Sequence, residues 1–203
     1  MIGIVDYGLG NIQAFLNIYR NLNIPAMAIR TADELAAAKR IILPGVGSFD
    51  WAMERLNVSG MRESLNDLVM GKQLPVLGVC VGMQMLARCS EEGDLPGLGW
   101  IPGDVKRFDE HRFTQKTHLP HMGWNDVMPR ATDNLFRGMV DPRFYFLHSY
   151  YFLPDNSEQI LAATNYNGEF ASSVCAGHVF GTQFHPEKSH QWGIQLLKNF
   201  AEI

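Results

Sequence analysis

The first 80 residues alternate short apolar runs with segments of helical periodicity. The apolar runs are only four or five residues long, which is typical of buried strands in a sheet covered on both faces. They lie at residues 2–5, 26–29, 40–43 and 75–79. Strands that alternate with helices in this way predict an α/β fold with a parallel sheet and helices on both of its faces.

Helix signals fall between these runs. Asn11 is placed to cap a helix, because apolar residues then recur at the helical period as Ile12, Phe15, Leu16 and Tyr19. Thr31 and Glu34 match a capping box, which predicts that an alanine-rich helix begins there. Further helices are expected at about 49–56, 61–70 and 83–89.

Three chemically suggestive residues come at the ends of predicted strands. Asp6, Gly45 and Cys80 each follow or close an apolar run. The carboxyl ends of parallel strands lie along one edge of the sheet, where α/β proteins bind their ligands. We therefore expect a site at this edge.

The pattern changes after Glu92, where glycine, proline, aromatic and β-branched residues dominate. This composition predicts antiparallel or mixed strands, expected at residues 144–147, 159–163, 170–174 and 178–184. A last helix is predicted at about 191–200, with Ile194, Leu197 and Phe200 on one face. Neither a linker nor an internal repeat interrupts the sequence, so we expect one domain over residues 1–203.

Composition narrows the class of protein. The 203 residues include 17 basic and 21 acidic side chains, a net charge of −4, so no basic face for nucleic acid is expected. No run approaches the roughly 20 apolar residues of a membrane helix, and the first residues lack the layout of a signal peptide. Three cysteines without paired spacing predict neither a disulfide framework nor a zinc site. We expect a cytoplasmic protein with no metal or cofactor.

Cys80 carries the strongest chemical signal. It lies between a predicted strand and a predicted helix, with Gly78 and Gly82 two residues to either side. A strand–turn–helix elbow of this kind exposes a nucleophile on a strained turn that only small neighbours permit. Helix amides at the elbow would favour the thiolate and stabilise an oxyanion. The alternative is that Cys80 is an ordinary buried cysteine, as we expect for Cys89 and Cys175.

A base and a carboxylate occur together near the end of the chain. His185 follows an apolar run and precedes a proline, and Glu187 comes two residues later. A carboxylate on one imidazole nitrogen fixes the tautomer and leaves the other nitrogen free for a thiol. Cys80, His185 and Glu187 therefore form a candidate nucleophile, base and orienting acid. A purely structural strand-end histidine is the alternative.

Pro44-Gly45-Val46-Gly47 follows the third predicted strand. It can be a plain turn, but an amide between glycines can also face a ligand without steric penalty. This segment therefore offers a second oxyanion donor beside the amide of Val81.

Together these motifs resemble the class I glutamine amidotransferases, with the Cys80 elbow and the His185–Glu187 pair similar to the family's triad. Within that family the sequence resembles the glutaminase subunits of imidazole glycerol phosphate synthase, over nearly the whole chain. The segments that carry the likeness are Asp-Tyr-Gly-Leu-Gly-Asn at 6–11, Pro-Gly-Val-Gly-Ser-Phe at 44–49, Gly-Met-Gln at 82–84, Pro-His-Met-Gly-Trp-Asn at 120–125 and Gly-Thr-Gln-Phe-His-Pro-Glu-Lys-Ser at 181–189.

The resemblance implies a fold, a mechanism and a set of site residues. The fold would be a mostly parallel sheet with an antiparallel C-terminal extension. Cys80 would attack the side-chain amide of glutamine, His185 would pass the thiol proton to the departing ammonia, and Glu187 would orient His185. The implied oxyanion donors are the amides of Val46, Gly47 and Val81. The implied glutamine-binding residues are Gln84, Glu92, Ser149 and Tyr150.

The resemblance also implies a partner. Ammonia would pass to a (β/α)8-barrel cyclase subunit in a heterodimer, which would make imidazole glycerol phosphate and aminoimidazole carboxamide ribotide for histidine biosynthesis. Asn11, Trp124 and Tyr145 would face that subunit, and activity would be low without it.

Three alternatives stay open. A paralogous glutaminase subunit would supply ammonia to a surface-sugar amidotransferase. An independent γ-glutamyl hydrolase would share the elbow but need no partner. A catalytically silent binding subunit would use none of Cys80, His185 and Glu187.

Overall fold

The first half of the chain forms the parallel part of a sheet. The computed structural model describes residues 1–113, 117–131 and 134–203. Five parallel neighbours stand in the order β2-β1-β3-β4-β12. Their bounds are Ile2–Val5 for β1, Ala26–Ile29 for β2, Arg40–Gly45 for β3, Val76–Cys80 for β4 and Val179–Thr182 for β12. The four N-terminal strands confirm the sequence prediction closely.

Helices pack against this sheet between the strands. Their bounds are Ile12–Asn21 for α1, Phe49–Val58 for α2, Arg62–Asn66 for α3, Val81–Gln84 for α4 and His190–Glu202 for α5. Asn11 caps α1 as predicted, since its side chain accepts a hydrogen bond from the Ala14 amide at 3.1 Å. The buried Tyr19 hydroxyl of α1 donates to the Leu197 carbonyl of α5 at 3.1 Å, which ties the two ends of the chain together.

The second half extends the sheet with antiparallel strands. Within the described residues the main sheet has ten strands, and β12 joins its two halves because it pairs parallel with β4 and antiparallel with β11 (Glu169–Ala176). A separate two-stranded ribbon consists of β6 (His121–Asp126) and β8 (Arg143–His148). The bounds are Gly103–Arg107 for β5, His121–Asp126 for β6, Met128–Pro129 for β7, Arg143–His148 for β8, Tyr150–Pro154 for β9, Ile160–Asn165 for β10 and Glu169–Ala176 for β11. The α/β class with an antiparallel extension is confirmed.

The sequence did not predict β6, because this strand exposes its apolar side chains and buries a polar one. Met122 and Trp124 are exposed by 65% and 42%, whereas the polar His121 on the other face of the strand is buried. The alternation of apolar and polar residues is therefore inverted relative to burial. Strands β5, β7 and β9 were also not predicted.

The helix predicted at 83–89 is wrong, because α4 ends at Gln84. Carbonyl groups that a longer helix would use are taken by a neighbouring loop. The Leu98 amide donates to the Met85 carbonyl at 2.8 Å, and the Gly99 amide donates to the Ala87 carbonyl at 3.0 Å. A four-residue helix adds little macrodipole, so the local amides must supply any stabilisation of negative charge at the elbow.

Two other predicted helices are shorter than expected. The capping-box segment forms a 3-10 helix at Asp33–Ala37, in which the Glu34 amide donates to the Thr31 hydroxyl at 3.4 Å. The segment 61–70 divides into α3 and a π-helical turn at Asp67–Gly71.

The last helix forms where it was predicted, but with a different buried face. Ile194 is 41% exposed, whereas Gly193, Leu196, Leu197 and Phe200 are buried. A Cβ at Gly193 would lie 2.6 Å from the Pro186 carbonyl carbon, so α5 approaches the segment before it more closely than other residues allow. The first turn of α5 thus packs against the loop that carries His185. None of the helices in the described ranges is long and apolar enough to cross a membrane.

Candidate active site

Cys80 lies on the sharp bend that its sequence predicts. Its φ is +55° and its ψ is −114°, an unusual conformation for a residue with a side chain, and the residue is buried. A Cβ at Gly78 would lie 2.8 Å from the Gly82 carbonyl carbon, and a Cβ at Gly82 would collide with the Leu43 carbonyl oxygen. The two glycines let the chain turn back against β3, and this close approach holds the strained cysteine in place.

His185 and Glu187 form a buried pair. The imidazole Nδ1 lies 2.8 Å from Glu187 Oε1, and their side chains are only 3% and 4% exposed. Cys80 and His185 line the same cavity, and the sulfur is among the groups that raise the pKa of the imidazole. Burial opposes a charge on His185, but its hydrogen bonds with the sulfur and the carboxylate raise its pKa to about 10. His185 is therefore held mainly as the charged imidazolium beside Cys80 and the Glu187 carboxylate.

Pairing of β4 with β12 brings these residues together. Val79 pairs with Thr182 in the parallel ladder, so Cys80 and His185 follow neighbouring strands at one edge of the sheet. The ring of Phe184, just before the histidine, stacks on Phe144 of β8 with centroids 3.9 Å apart. The backbone amide of His185 then donates to the Tyr145 carbonyl at 2.9 Å. Two neighbouring residues of β8 thus hold the segment that carries the histidine.

Ser189 completes this support. Its buried hydroxyl donates to the His185 carbonyl at 2.6 Å and accepts a hydrogen bond from the Tyr145 amide at 3.0 Å. One side chain therefore joins β8 to the histidine loop, which explains why a serine lies in this motif.

A cavity of about 210 Å³ opens at Cys80. That volume suits one small metabolite rather than a larger ligand. Nine residues expected from the sequence line it, namely Val46, Gly47, Cys80, Val81, Gln84, Glu92, Ser149, Tyr150 and His185. Glu187 is not part of the lining, because it lies behind His185 as an orienting acid should.

Three lining residues were not anticipated: Leu147, His148 and Lys188. Lys188 lies in the same motif as His185, and its charge near a ligand site was a usable signal. Leu147 and His148 immediately precede the expected Ser149 in the sequence. The sequence carried no signal for them, because tertiary packing decides which residues at the end of a strand face a cavity.

A loop that contains Glu92 forms one wall of the cavity. Glu92 Oε2 accepts a hydrogen bond from the Phe49 amide at 2.8 Å, so the carboxylate meets the first amide of α2. In the opposite direction, Asp50 of α2 accepts hydrogen bonds from the loop amides of Asp94 at 2.9 Å and Leu95 at 3.0 Å. Burial raises the pKa of Glu92, an effect that the Phe49 hydrogen bond partly offsets and the nearby Asp50 carboxylate reinforces. A cationic ligand group beside Glu92 would offset the free-energy cost of burying its charged carboxylate.

The residues expected to face a partner lie outside the cavity lining. Trp124 stacks parallel on His190, with centroids 5.4 Å apart. The Lys188 ammonium lies 5.9 Å from the centroid of the Tyr145 ring, a cation–π distance. Asn11 caps α1. The structure gives each of these residues an internal contact.

The His185 pair predicts a loss of stability at alkaline pH. The pKa of His185 is near 6.5 in the unfolded chain and about 10 in the folded protein. Its contribution to the free energy of unfolding is therefore fully present below pH 6.5 and is lost as the pH rises through 10. From pH 6.5 to 10, the unfolding free energy of the protein should fall by on the order of a few kcal/mol relative to His185→Gln. Urea unfolding of both proteins across this pH range measures the difference between their free energies of unfolding. Parallel curves for the two proteins would contradict the prediction.

A buried cysteine, histidine and carboxylate beside a small cavity define a class of proteins that act through an activated thiol. The family described as glutamine amidotransferase class-I matches residues 4–203. A Bdellovibrio bacteriovorus protein called imidazole glycerol phosphate synthase subunit HisH is 59% identical, and the alignment covers 100% of both chains. The subunit of the same name from Leptospira interrogans is 49% identical, again over 100% of both chains.

A solved glutamine amidotransferase structure superposes with a TM-score of 0.76 at 19% identity, covering 100% of this chain and 99% of the other, which supports the fold. The chain therefore belongs to the class I glutamine amidotransferases and, within them, to the imidazole glycerol phosphate synthase HisH subunits.

Proposed function

We propose that this glutaminase subunit hydrolyses glutamine at Cys80 and delivers the ammonia to a (β/α)8-barrel cyclase subunit in a heterodimer. The cyclase would use the ammonia to form imidazole glycerol phosphate and aminoimidazole carboxamide ribotide in histidine biosynthesis. The observation that carries the proposal is the juxtaposition of Cys80, His185 and Glu187 at a small cavity that also contains Glu92.

Glutamine binding would use opposite charges at the two ends of the ligand. The α-ammonium group would approach Glu92, whose raised pKa makes a cation a favourable partner. The α-carboxylate would accept hydrogen bonds at Ser149 and Tyr150, which line the cavity with Gln84. The side-chain amide would then lie against the sulfur of Cys80.

The reaction would begin from the thiolate and imidazolium. The sulfur attacks the amide carbon, a C–S bond forms, and the carbonyl electron pair moves onto oxygen. Amides of Val81 and of Val46 or Gly47 would stabilise this oxyanion, each donor contributing about 3 kcal/mol. Collapse then breaks the C–N bond, and the nitrogen takes a proton from His185 and leaves as ammonia.

Hydrolysis of the γ-glutamyl thioester would complete the cycle. The now neutral His185 takes a proton from water, and the resulting hydroxide attacks the thioester carbon. The C–S bond breaks, the new γ-carboxyl group releases its proton to solvent, glutamate leaves, and the thiolate and imidazolium are restored. Glu187 would hold the Nδ1 proton throughout and stabilise the charged ring.

An exposed apolar face beside the cavity supports a docking role. On the β6–β8 ribbon, Met122 pairs with Leu147, and Trp124 pairs with Tyr145. Met122, Trp124 and Leu147 are exposed by 65%, 42% and 39%, and Leu147 also lines the cavity. Contiguous exposed apolar side chains next to a site are typical of a protein interface. Ammonia released here would emerge beside a subunit bound to this ribbon.

The loop that carries Glu92 yields a prediction for Asp50. Asp50→Ala removes the acceptor of two loop amides and should loosen the position of Glu92. We expect the KM for glutamine to rise roughly five-fold, with kcat changing less, because the change affects ground-state binding. Asp94→Ala, an exposed change in the same loop, is the matched control. Equal KM values for both variants would argue against the loop's role.

The test of the function is glutamate release from glutamine by the purified chain. It is run alone and with a histidine-pathway cyclase subunit that carries its nucleotide ligand. We expect low activity alone and a stimulation of about 10- to 100-fold in the complex, within the usual range of coupling between sites. Full activity of the isolated chain would instead support an independent γ-glutamyl hydrolase.

The same experiment distinguishes a silent binding subunit from a glutaminase with a different partner. Complex formation without glutamate release would indicate a silent binding subunit. No complex and no stimulation would point to another ammonia acceptor, such as a surface-sugar amidotransferase, and would overturn the assignment of the cyclase as partner.

A further inference from the structure

The carbonyl of Pro44 faces a gap at the end of the pairing between β1 and β3. The two strands pair only as far as Ile42 of β3, and β1 itself ends at Val5. Alternate residues of a strand direct their backbone groups toward opposite neighbours. The Ile41 amide donates to the Pro75 carbonyl at 2.8 Å, on the β4 side, so the carbonyl of Pro44 faces the β1 side. A buried carbonyl in this position needs a donor from outside the ladder.

The hydroxyl of Tyr7 supplies that donor. Tyr7 comes two residues after β1, is only 3% exposed, and donates to the Pro44 carbonyl oxygen at 2.6 Å. The same hydroxyl oxygen lies 3.5 Å from Met85 Sδ, but a thioether is a weak acceptor, so the single proton points to the carbonyl. Burial raises the pKa of Tyr7, and Cys80 adds to this effect, so the hydroxyl keeps its proton at neutral pH.

The carbonyl that Tyr7 holds belongs to the last peptide group of β3. The C=O of Pro44 and the N–H of Gly45 lie in one plane, because the peptide bond between them does not rotate freely. Gly45 ends β3 and pairs with Cys80 of β4. This peptide group is therefore held from β4 on one side and by the Tyr7 hydroxyl on the other.

Val46 is the first residue beyond the anchored peptide group, and it lines the cavity at Cys80. Its amide is one of the donors assigned to the oxyanion, and only Gly45 separates it from that peptide group. A Cβ at Gly45 would lie 2.4 Å from the Gly82 amide nitrogen, so the close approach to the elbow requires glycine there. Glycine restricts the backbone least of all residues, so the direction of the Val46 amide depends on how firmly the preceding peptide group is held.

We propose that Tyr7 is a positioning residue for the oxyanion donor, because its hydroxyl holds the Pro44 carbonyl and thereby aims the Val46 amide at the cavity. The inference rests on the proposed function, since the oxyanion arises only when Cys80 attacks glutamine. Tyr7 does not line the cavity, so it acts through the segment that it anchors and not on the substrate.

Tyr19 offers a matched comparison for Tyr7. It is also buried, and its hydroxyl also donates to a backbone carbonyl, that of Leu197 at 3.1 Å. This bond joins α1 to α5 and does not involve the segment after β3. Tyr7→Phe and Tyr19→Phe each remove one buried hydroxyl and leave one carbonyl without that donor. We expect similar shifts of the urea midpoint in the two variants.

The kinetic test measures glutamate release by the complex with the cyclase and its nucleotide ligand. Tyr7→Phe should lower kcat and kcat/KM about ten-fold, with the KM for glutamine within about two-fold, because a displaced oxyanion donor weakens binding of the transition state alone. Tyr19→Phe should leave kcat and KM within about two-fold of the unsubstituted values.

Alkylation by iodoacetamide distinguishes an effect on the oxyanion from a general disturbance of the site. The Cys80 sulfur forms a C–S bond as iodide leaves, and no oxyanion arises in this reaction. Mass spectrometry of the peptide that contains Cys80 follows the rate at this cysteine alone. In Tyr7→Phe the rate should stay within about two-fold of that in the unsubstituted protein, because the sulfur and its neighbours are untouched.

A second variant places a different donor at the same position. Tyr7→4-aminophenylalanine carries an amino N–H in place of the O–H, and its kcat should lie within about three-fold of the unsubstituted value. This variant also decides the inference where Tyr7→Phe fails to fold. A folded 4-aminophenylalanine protein that loses kcat about ten-fold or more would contradict the role of the donor.

The other results that would overturn the inference are equally definite. One is a folded Tyr7→Phe with unchanged kcat. Another is an equal loss of kcat in Tyr19→Phe, since any buried hydroxyl would then matter in the same way. A parallel fall in the alkylation rate of Cys80 would show that the sulfur itself is displaced. An unsubstituted complex that releases no glutamate would refute the proposed function, and this inference with it.

Discussion

Cys80→Ala should abolish glutamate release, with a loss of roughly 10⁴-fold or more, because no other group can form the thioester. The cyclase complex should still form, since Cys80 is buried and does not contribute to the exposed face of the β6–β8 ribbon. The measurement is steady-state glutamate production by the complex, together with its elution on size exclusion.

Cys89 provides the matched control for this substitution. It is exposed, its sulfur contacts Asp104 at 3.3 Å, and it does not line the cavity. Cys89→Ala should retain the activity of the unsubstituted complex. Appreciable turnover by Cys80→Ala would show that the nucleophile has been misassigned.

Glu187→Gln should lower kcat by roughly 10²- to 10⁴-fold, the range associated with an orienting carboxylate in such triads. Glutamine can still accept the Nδ1 proton of His185, but it supplies no charge to stabilise the imidazolium. The pKa of His185 should therefore fall from about 10, because the Glu187 contribution that raises it is removed.

A pH profile distinguishes this effect from simple loss of structure. The alkaline limb of kcat should move to lower pH in Glu187→Gln, since the leaving nitrogen takes its proton from His185. Glu54→Gln, an exposed change on α2, is the control and should alter neither kcat nor the profile. An unshifted alkaline limb in Glu187→Gln would contradict the role of the carboxylate.

The sequence predicted the parallel half of the fold well because its signals are local. Apolar runs of strand length, the Asn11 cap and the two glycines around Cys80 all act within a few residues, and the structure contains each of them. The pairing of His185 with Glu187 is local as well, since two residues separate them. These features needed no knowledge of distant contacts.

The predictions failed in two situations. In one, residues from another part of the chain form the hydrogen bonds that a local helix would make, and in the other, the burial of a strand runs opposite to its apolar–polar alternation. The helix after Cys80 ends at Gln84 because the loop at residues 97–99 uses the carbonyls of Met85 and Ala87. Strand β6 was missed because it buries His121 and exposes Met122 and Trp124. Neither effect is visible in local periodicity.

The sequence by itself thus determined the chemistry available to this protein: a strained cysteine, a histidine with its carboxylate, and the family to which they belong. Only the tertiary structure decided that these groups meet, because the parallel pairing of β4 and β12 carries Cys80 and His185 to one edge across a gap of about 100 residues. It also placed the buried rings of His121 and His148 in contact, with Nδ1 of the first 2.9 Å from Nε2 of the second. Hydrogen bonds between strands far apart in sequence depend on fold and register, which no local pattern encodes.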